Sequence, residues 1–315
     1  TDSVSALPNG KSPGLDGFTP EFYKAFWPIL GKDLLDTINY CIESGLLTES
    51  MREAVITCIY KDGDTEDLKN WRPISLLNID YKIYTKALAK KLGQTLEDII
   101  NPQQTASVPG RSILTTLQLV RDLIRLADDE GLDACLLSID QEKAFDRVSW
   151  KFLQKSLKAF GYGPRFIRQI RIIYHNISSR VKVNGHLSER FLLSRGMRQG
   201  CPLSMLLYCI LSEVFSNHIT VSDRVTGIHV GEHGQVKVCQ FADDTYFFLI
   251  GDNSIKHIGY ELSLLERGTG ARINYGKCKG LWLGRNKRRA DKPLNFKWEN
   301  KIKVLGVYLA RNKEM

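Results

Sequence analysis

Two apolar segments that flank an adjacent pair of acidic residues constrain the fold of this 315-residue chain most strongly. The segments are VKVCQF at 236–241 and TYFFLI at 245–250, and their β-branched and aromatic residues are typical of strands. Asp243 and Asp244 lie between them. Because carboxylates are poor strand formers, the pair predicts a tight turn that directs both side chains towards one cleft. A bound divalent cation would remove the repulsion between the two charges.

A third acidic residue, Asp140, follows the apolar segment ACLLSI at 134–139, which predicts a buried strand. Strand ends are where a sheet presents functional groups to a crevice. If the two elements are neighbours, Asp140 and Asp243 can share metal ions about 3.5–4 Å apart, an arrangement that suits phosphoryl transfer. Mg²⁺ fits such a site because it prefers a few carboxylates together with substrate phosphates. Taken alone, the acidic pair is better explained by an exposed hairpin turn, where Asp is favoured by local hydrogen bonds.

Composition limits the class of protein. The net charge of +9 and the pI of about 9.1 suit a polyanionic partner such as nucleic acid, although a solvated basic surface explains them equally well. Seven cysteines without a C-x-x-C pair predict reduced thiols in an intracellular protein and no zinc site. The longest apolar stretch, 205–211, is too short to span a bilayer. The chain opens at Thr1 in a loop-like segment, so we expect a fragment of a longer protein.

Helical and strand patterns are mixed without strict alternation, which favours the α+β class. Apolar spacing predicts helices, and β-branched runs predict strands. The predicted helices lie near 20–47, 78–100, 113–130, 149–160, 164–177, 203–221 and 254–268. Further strands are predicted at 54–60, 279–283 and 302–309, with a hairpin formed by 180–185 and 189–194.

Eight sequence blocks occur in an order that resembles the reverse transcriptases of non-LTR (LINE-type) retrotransposons. The blocks are LPNGKSPGLDGFTPEFYK (7–24), NWRPISLLNIDYKI (70–83), the block at 104–112 ending in VPGRS, SIDQEKAFDRVSW (138–150), RGMRQGCPLS (195–204), FADD (241–244), ARINYGKCKGLWLG (271–284) and IKVLGVYL (302–309). Single blocks are only moderately specific, but eight in this order make an accidental similarity very improbable. The resemblance covers nearly the whole chain.

The resemblance implies a right-hand polymerase fold. Fingers are expected at 1–133 with part of 150–195 interleaved, and an antiparallel-sheet palm with packed helices at 134–310. The thumb is expected to be absent or truncated, with 311–315 as the start of its connection. The implied activity is RNA-directed DNA polymerisation, in which a primer 3′-hydroxyl is extended with dNTPs by two-metal phosphoryl transfer, as in target-primed retrotransposition.

The resemblance also implies partners and a cofactor. These are an RNA template, a DNA primer or target, dNTPs and two Mg²⁺ ions, for which Mn²⁺ can substitute. No membrane partner is expected, the oligomeric state stays open, and family analogy places the protein in the nucleus and in cytoplasmic ribonucleoprotein. The alternative is a catalytically inactive reverse-transcriptase-like scaffold that binds RNA. An unrelated nuclease with carboxylate-bound metals would not explain the RQG block or an aromatic residue after the first aspartate.

Site residues follow from the resemblance, one position at a time. The metals are assigned to Asp140, Asp243 and Asp244, and protonation of the pyrophosphate leaving group to Lys277, with Lys279 as a close alternative. The nucleotide is assigned to Lys61, Arg72, Lys143, Ala144, Phe145, Gln199 and Gly200. Phe145 takes the place of the steric gate that excludes a 2′-hydroxyl; otherwise it is a core aromatic at the start of a helix.

Contacts with nucleic acid are assigned to Arg111, Arg195, Arg198, Leu305 and Gly306. The arginines are candidates for template phosphates, because a guanidinium offers a planar fork to phosphate oxygens. The last two residues resemble the primer-grip hairpin, although a simple β-hairpin predicts the same sequence. Ordinary surface cations are the alternative for Lys61 and, less strongly, for Arg72.

Overall fold

The computed structural model describes residues 1–310, so the predicted thumb connection at 311–315 lies outside the described residues. The chain forms two compact units, each made of separate stretches. Unit 1 comprises Thr1–Thr95 and Val148–Leu207, and unit 2 comprises Leu96–Arg147 and the chain from Tyr208 onward. The assignment of fingers and palm to 1–133 and 134–310 stays a prediction.

Unit 1 is built around a five-stranded sheet. Its strands follow the order β2-β1-β4-β5, and β6 pairs with the remaining part of β4. The strands are β1 (Glu53–Tyr60), β2 (Trp71–Leu77), β4 (Ser178–Val183), β5 (His186–Leu187) and β6 (Phe191–Leu192). The helices are α1 (Asp2–Ser5), α2 (Pro20–Ser44), α3 (Glu49–Arg52), α4 (Ile79–Ile99), α6 (Trp150–Ala159) and α7 (Pro164–Tyr174), of which α4 continues into unit 2.

Strand β2 is an element that the sequence patterns do not predict. Its sequence, WRPISLL, contains Pro73, which removes one donor from a strand and argues against a central position. The structure places β2 at the edge of the sheet, antiparallel to β1, with Cys58 opposite Pro73. An edge strand needs ladder hydrogen bonds on one side only, so the proline is tolerated there.

Unit 2 contains a second five-stranded sheet with the order β12-β11-β3-β10-β9. Its strands are β3 (Asp133–Ile139), β9 (Val238–Phe241), β10 (Asp244–Ile250), β11 (Lys279–Gly284) and β12 (Lys297–Trp298). Two small hairpins accompany it, β7 (Ile228–His229) with β8 (Gln235–Val236), and β13 (Lys301–Val304) with β14 (Val307–Ala310). The helices are α5 (Ile113–Asp129), α8 (Ser204–Val221), which begins in unit 1, and α9 (Gly251–Thr269).

The two central strands of this sheet are buried on both faces. Leu136 of β3 and Phe248 of β10 belong to the apolar cluster that includes α5. Their chain neighbours Leu137 and Phe247 belong to the cluster on the other face, which includes α9. Because side chains alternate between the faces of a strand, an uninterrupted apolar run is what this double burial requires. The layered arrangement of helices on sheets confirms the predicted α+β class.

In the described part of the chain, residues 1–310, no helix combines the length and the apolar character that a transmembrane span requires.

Candidate active site

The acidic pair lies at a hairpin turn, as predicted. Asp244 pairs with Phe241, which leaves Ala242 and Asp243 as a two-residue connection between β9 and β10. Such short hairpin turns need a positive φ at a central position, and Ala242 adopts a φ of 56°. This conformation is uncommon for a residue with a Cβ, so contacts around the turn have to hold it.

Asp140 reaches the same end of the sheet. Strands β3 and β10 are antiparallel neighbours, and their register pairs Ile139 with Thr245. One position further along this register, Asp140 stands across from Asp244. Asp140 and the distant pair Asp243–Asp244 are therefore brought to one end of the sheet by adjoining strands. The pairing of β3 with β10 meets the condition under which Asp140 and Asp243 can share metal ions.

Lys277 lies on a segment that packs directly against Asp140. The backbone N–H of Asn274 donates to the carbonyl oxygen of Asp140 at 2.9 Å, and the N–H of Lys277 donates to the carbonyl of Asn274 at 2.9 Å. Lys277 itself is exposed. The alternative residue, Lys279, forms an ion pair with Glu299 at 2.8 Å. The choice between Lys277 and Lys279 as the proton donor stays a prediction.

The predicted steric gate, Phe145, has an aromatic partner. Phe145 lies in a short 3-10 helix, Ala144–Arg147, and stacks on Tyr208 with ring centroids 4.5 Å apart and planes 21° apart. The Tyr208 hydroxyl donates to Oε1 of Gln141 at 3.2 Å, next to Asp140 in the chain. Phe145 is only half-buried, so one part of its ring stays open to a ligand. Sequence reasoning missed Tyr208, because nothing in the sequence links position 208 to position 145.

The carboxylates act electrostatically on the tyrosines around them. Burial raises the pKa of the Tyr208 hydroxyl, and the charges of Asp243 and Asp244 raise it further. The pKa of the buried Tyr246 is raised by burial and by the same two carboxylates, and lowered by a hydrogen bond from the Leu305 backbone. Both tyrosines therefore stay protonated, and the hydroxyl of each can serve as a hydrogen-bond donor beside the acidic turn.

The end of the sheet that carries Asp140, Asp243 and Asp244 is not a preformed metal cage. Within residues 1–310, no three His, Cys, Asp or Glu side chains are arranged to hold a metal ion by themselves. Mg²⁺ does not require such a cage, because it is usually held by one or two carboxylates together with waters and substrate phosphates. Carboxylates from two neighbouring strand ends are a donor set of this kind. The metal roles of Asp140, Asp243 and Asp244 stay predictions.

Gln104 holds the acidic turn in place. Its side-chain Oε1 accepts from the backbone N–H of Ala242 at 3.2 Å and from that of Ala106 at 3.0 Å. The backbone on either side pairs with β9, since Gln240 donates to Gln103 and accepts from Thr105. Gln104 is 1% exposed. Gln104 begins one of the recognised sequence blocks, but no pattern in the sequence indicates this contact.

We expect the variant Gln104→Leu to lower the kcat of primer extension by roughly tenfold while the KM for nucleotide changes little. The substitution keeps the side-chain volume but removes two hydrogen bonds of about 1 kcal/mol each from a strained turn. Steady-state kinetics separates the two constants, and the neighbouring variant Gln103→Leu, which keeps the backbone pairing, is the control. Equal kcat values for the two variants would contradict a positioning role.

The predicted nucleotide-binding residues of unit 1 gather around the β1–β2 hairpin. Lys61 follows the last strand pair, and its N–H donates to Asn70 at 2.9 Å, while Arg72 lies opposite Ile59. Both side chains are exposed. The carbonyl of Gln199 accepts from the N–H of Ser75 on β2 at 2.8 Å. Lys61, Arg72 and Gln199 therefore all lie along the β1–β2 hairpin of unit 1.

Gly200 makes a close backbone approach, but to this chain itself. A Cβ at this position would lie 2.6 Å from the carbonyl oxygen of Ser75, and the φ of Gly200 is 114°. Both facts require glycine for structural reasons. The need for glycine in the RQG block is thus explained by packing against β2, and a contact with nucleotide stays a prediction.

Two of the three arginines predicted to contact template are committed to backbone carbonyls. Arg198 is 3% exposed and donates to the carbonyls of Met51, Arg52 and Ser178. This burial argues against the predicted contact with a template phosphate. Arg195 is exposed, and its contact with a template phosphate stays a prediction.

Arg111 closes the C-terminal end of α4. Its two terminal nitrogens donate to four carbonyls, those of Glu97, Ile100, Asn101 and Gln104. The last carbonyls of a helix lack partners within the helix, and Arg111 supplies donors for them. This arrangement gives Arg111 a structural role that the sequence resemblance did not imply.

The predicted primer-grip hairpin has the expected geometry. Val304 pairs with Val307, so Leu305 and Gly306 form a two-residue turn between β13 and β14. Both have positive φ values, 47° and 90°, as a primed turn requires. A contact with a primer stays a prediction, because the same turn would close any short hairpin.

Most of the chain matches one family of known proteins. Residues 59–309 match the family model described as reverse transcriptase (RNA-dependent DNA polymerase). The chain belongs to the reverse transcriptase family. This match covers Asp140, Asp243 and Asp244, and it confirms the resemblance found from the sequence blocks.

The relatives of this reverse transcriptase domain are proteins of mobile elements. The uncharacterized 149 kDa protein of transposon TX1 from Xenopus laevis is 38% identical over 314 residues, which is 98% of this chain and 24% of that protein. The Pol polyprotein of the type-2 retrotransposable element R2DM from Drosophila melanogaster is 26% identical over 78% of this chain and 22% of that protein. The reverse transcriptase domain therefore spans about a quarter of these relatives.

Solved structures confirm the fold of the reverse transcriptase domain. The apo telomerase of Candida tropicalis superimposes with a TM-score of 0.56 at 13% sequence identity, over 91% of this chain and 52% of that one. Telomerase of Candida albicans in complex with a fragment of telomeric RNA gives a TM-score of 0.56 over 93% of this chain and 49% of that one. At such low identity the similarity establishes the fold alone.

Proposed function

We propose that this reverse transcriptase chain extends the 3′-hydroxyl of a DNA primer with dNTPs along an RNA template. One observation carries the proposal. The adjoining strands β3 and β10 place Asp140 and the Asp243–Asp244 turn at the same end of the sheet. A phosphoryl transfer needs concentrated negative charge that can hold divalent cations against triphosphate oxygens. Relatives that are mobile-element proteins suggest that the parent protein uses this activity in target-primed retrotransposition.

Each site residue has a separate task in this proposal. Asp140, Asp243 and Asp244 would hold two Mg²⁺ ions, for which Mn²⁺ can substitute. When bound, such ions stabilise the charge that develops on the attacking and leaving oxygens. Lys277, exposed on the turn beside Asp140, would supply a proton to the departing pyrophosphate. Lys61 and Arg72 would bind the triphosphate of the incoming nucleotide from the β1–β2 hairpin.

Templated extension is the experiment that tests this function. The protein is incubated with a DNA primer annealed to RNA or to DNA, with dNTPs and Mg²⁺, and extended products are resolved by length. We expect extension on RNA that EDTA abolishes and that Mg²⁺ or Mn²⁺ restores. An RNA-binding scaffold would bind the same duplex without extension in either metal, and that outcome would favour the inactive alternative.

We expect Phe145→Val to raise ribonucleotide incorporation relative to deoxynucleotide incorporation by roughly 10- to 100-fold. The smaller side chain leaves room for a 2′-hydroxyl where the ring, held against Tyr208, would otherwise lie. The measurement is the ratio of kcat/KM for dCTP and CTP. Unchanged discrimination in a variant that still extends with dNTPs would identify Phe145 as a structural aromatic instead.

A further inference from the structure

Residues 148–188 carry a strongly one-sided charge. This stretch of 41 residues contains eight Lys and Arg residues and no Asp or Glu, whereas the whole chain has 44 basic and 35 acidic residues. The eight cations of this stretch nearly equal the net charge of +9 of the entire chain. All of them belong to unit 1. None has a role in the proposed polymerase chemistry.

The cations form stripes on α6 and α7. Lys151, Lys155 and Lys158 are spaced by four and three residues, so they share one face of α6, about 10 Å long. The buried apolar residues of this helix, Leu153 and Leu157, lie on the opposite face. The arginines of α7 repeat the pattern at intervals of three. They are Arg165, Arg168 and Arg171, and all six side chains are exposed.

Almost nothing in the protein neutralises these charges. Within the described residues none of the six forms an ion pair with an acidic side chain, and Arg168 donates a hydrogen bond to the backbone carbonyl of Glu43 at 2.9 Å. Six like charges on two helices that pack together repel one another. A surface of this kind gains stability when a polyanion replaces its counterions.

The rest of the surface favours a nucleic-acid strand over other polyanions. On α6 (Trp150–Ala159) and α7 (Pro164–Tyr174), which the structure describes throughout, no large apolar side chain is exposed, whereas Val183 and Leu187 further along the stretch are exposed. A membrane-bound helix would insert such side chains, and a protein interface would bury them at its centre. Instead, Tyr162 and Phe166 lie at the junction of the two helices, half-buried, with ring centroids 5.2 Å apart. Aromatic rings between basic residues are the arrangement that accepts stacked bases.

We propose that the exposed face of α6 and α7 binds the phosphate backbone of a single nucleic-acid strand. We call this face the basic helix pair; it comprises Lys151, Lys155, Lys158, Arg165, Arg168 and Arg171. It anchors a part of the strand that is not being copied, so it contributes to affinity and not to the chemical step. The proposal does not depend on the polymerase activity, because binding is measured without extension.

The test neutralises five cations, Lys151, Lys155, Lys158, Arg165 and Arg171, each to Gln, in the full chain. Fluorescence anisotropy with labelled single-stranded RNA and, separately, single-stranded DNA measures Kd at several salt concentrations. Each lost phosphate contact lowers the slope of log Kd against log salt by about 0.7, so five contacts lower it by roughly 3.5. We expect Kd to rise at least tenfold near 0.15 M salt. The nucleic acid, RNA or DNA, whose Kd rises more identifies the strand that the basic helix pair binds.

A matched control removes the same charge elsewhere, at the exposed residues Lys32, Lys91, Arg224, Lys256 and Lys292, each to Gln. Equal Kd values and equal salt slopes for the two variants in both arms would overturn the proposal, because net charge alone would then explain binding. The charge-keeping variant, with the three lysines of α6 replaced by Arg, is expected to bind as the parent does. Its failure to bind, with an unchanged circular dichroism spectrum, would also overturn the proposal. Primer-extension kinetics adds a second measurement. For the variant with five neutralised cations in the basic helix pair, we expect the KM for RNA to rise and kcat to equal that of the parent.

Discussion

Asp243→Asn is expected to lower primer extension by about a thousandfold or more. The substitution keeps the shape of the side chain at the β9–β10 turn and removes its charge. Loss of a carboxylate that holds a divalent cation removes several kcal/mol of transition-state stabilisation, and about 4 kcal/mol corresponds to a factor of a thousand. Single-turnover extension with saturating dNTP measures the loss at the chemical step.

The control for this variant is Asp129→Asn, which removes an exposed carboxylate on α5 of the same unit. Its extension rate is expected to match that of the parent, and both variants are expected to keep the parent's thermal midpoint. Parent-like extension by Asp243→Asn, in a preparation whose activity EDTA abolishes, would show that the acidic turn does not hold the catalytic cations. The alternative explanation of the acidic pair, a decorated hairpin turn, would then stand.

Arg198→Met is expected to reduce the free energy of unfolding by on the order of 3 kcal/mol. The guanidinium donates to three backbone carbonyls in the interior of unit 1, and each buried acceptor left without a donor costs about 1–3 kcal/mol. Part of this loss is offset, because Nε of Arg198 has no hydrogen-bond partner and its burial is itself unfavourable. Urea unfolding followed by circular dichroism gives the difference.

Arg195→Met is the comparison that separates structure from recognition. Arg195 is exposed, three residues earlier in the same block, and its loss is expected to change stability by no more than about 0.5 kcal/mol. If instead Arg198→Met left stability unchanged and weakened RNA binding, the original prediction of a template contact would be restored. Measuring both properties on both variants therefore assigns each arginine one role.

The sequence predicts the strand ends that carry the acidic residues, because that signal is local, but it leaves open whether β3 lies beside β10. Apolar runs of strand length end at Asp140 and begin after Asp244, and hairpin pairing then follows from a two-residue turn. Contacts between segments that are distant in the chain cannot be predicted from a single sequence. The hydrogen bond from Ala242 to Gln104 joins residues 138 positions apart, and a single sequence carries no trace of that pairing. The stack of Phe145 on Tyr208 was missed for the same reason.

The sequence does not predict whether an arginine binds a ligand or the protein's own backbone, and the reason is physical. A guanidinium offers five donors that suit phosphate oxygens and carbonyl oxygens equally, so the sequence alone cannot tell a ligand contact from a helix cap. Arg111 and Arg198 turned out to bind carbonyls of their own unit. Resemblance favoured the ligand, and only coordinates could reveal the buried acceptors.

The division of each unit between separate stretches affects how the protein is made. Strand β1 pairs in parallel with β4, and their register joins Glu53 to Ser178, 125 residues later in the chain. At a synthesis rate of about 5–20 residues per second, one side of β1 waits roughly 6 to 25 s on the ribosome before its partner emerges. During that interval an open strand edge can pair with another nascent chain. Slower translation would lengthen this interval, so yield in a heterologous host should depend on chaperone supply and on the rate of elongation between codons 53 and 178.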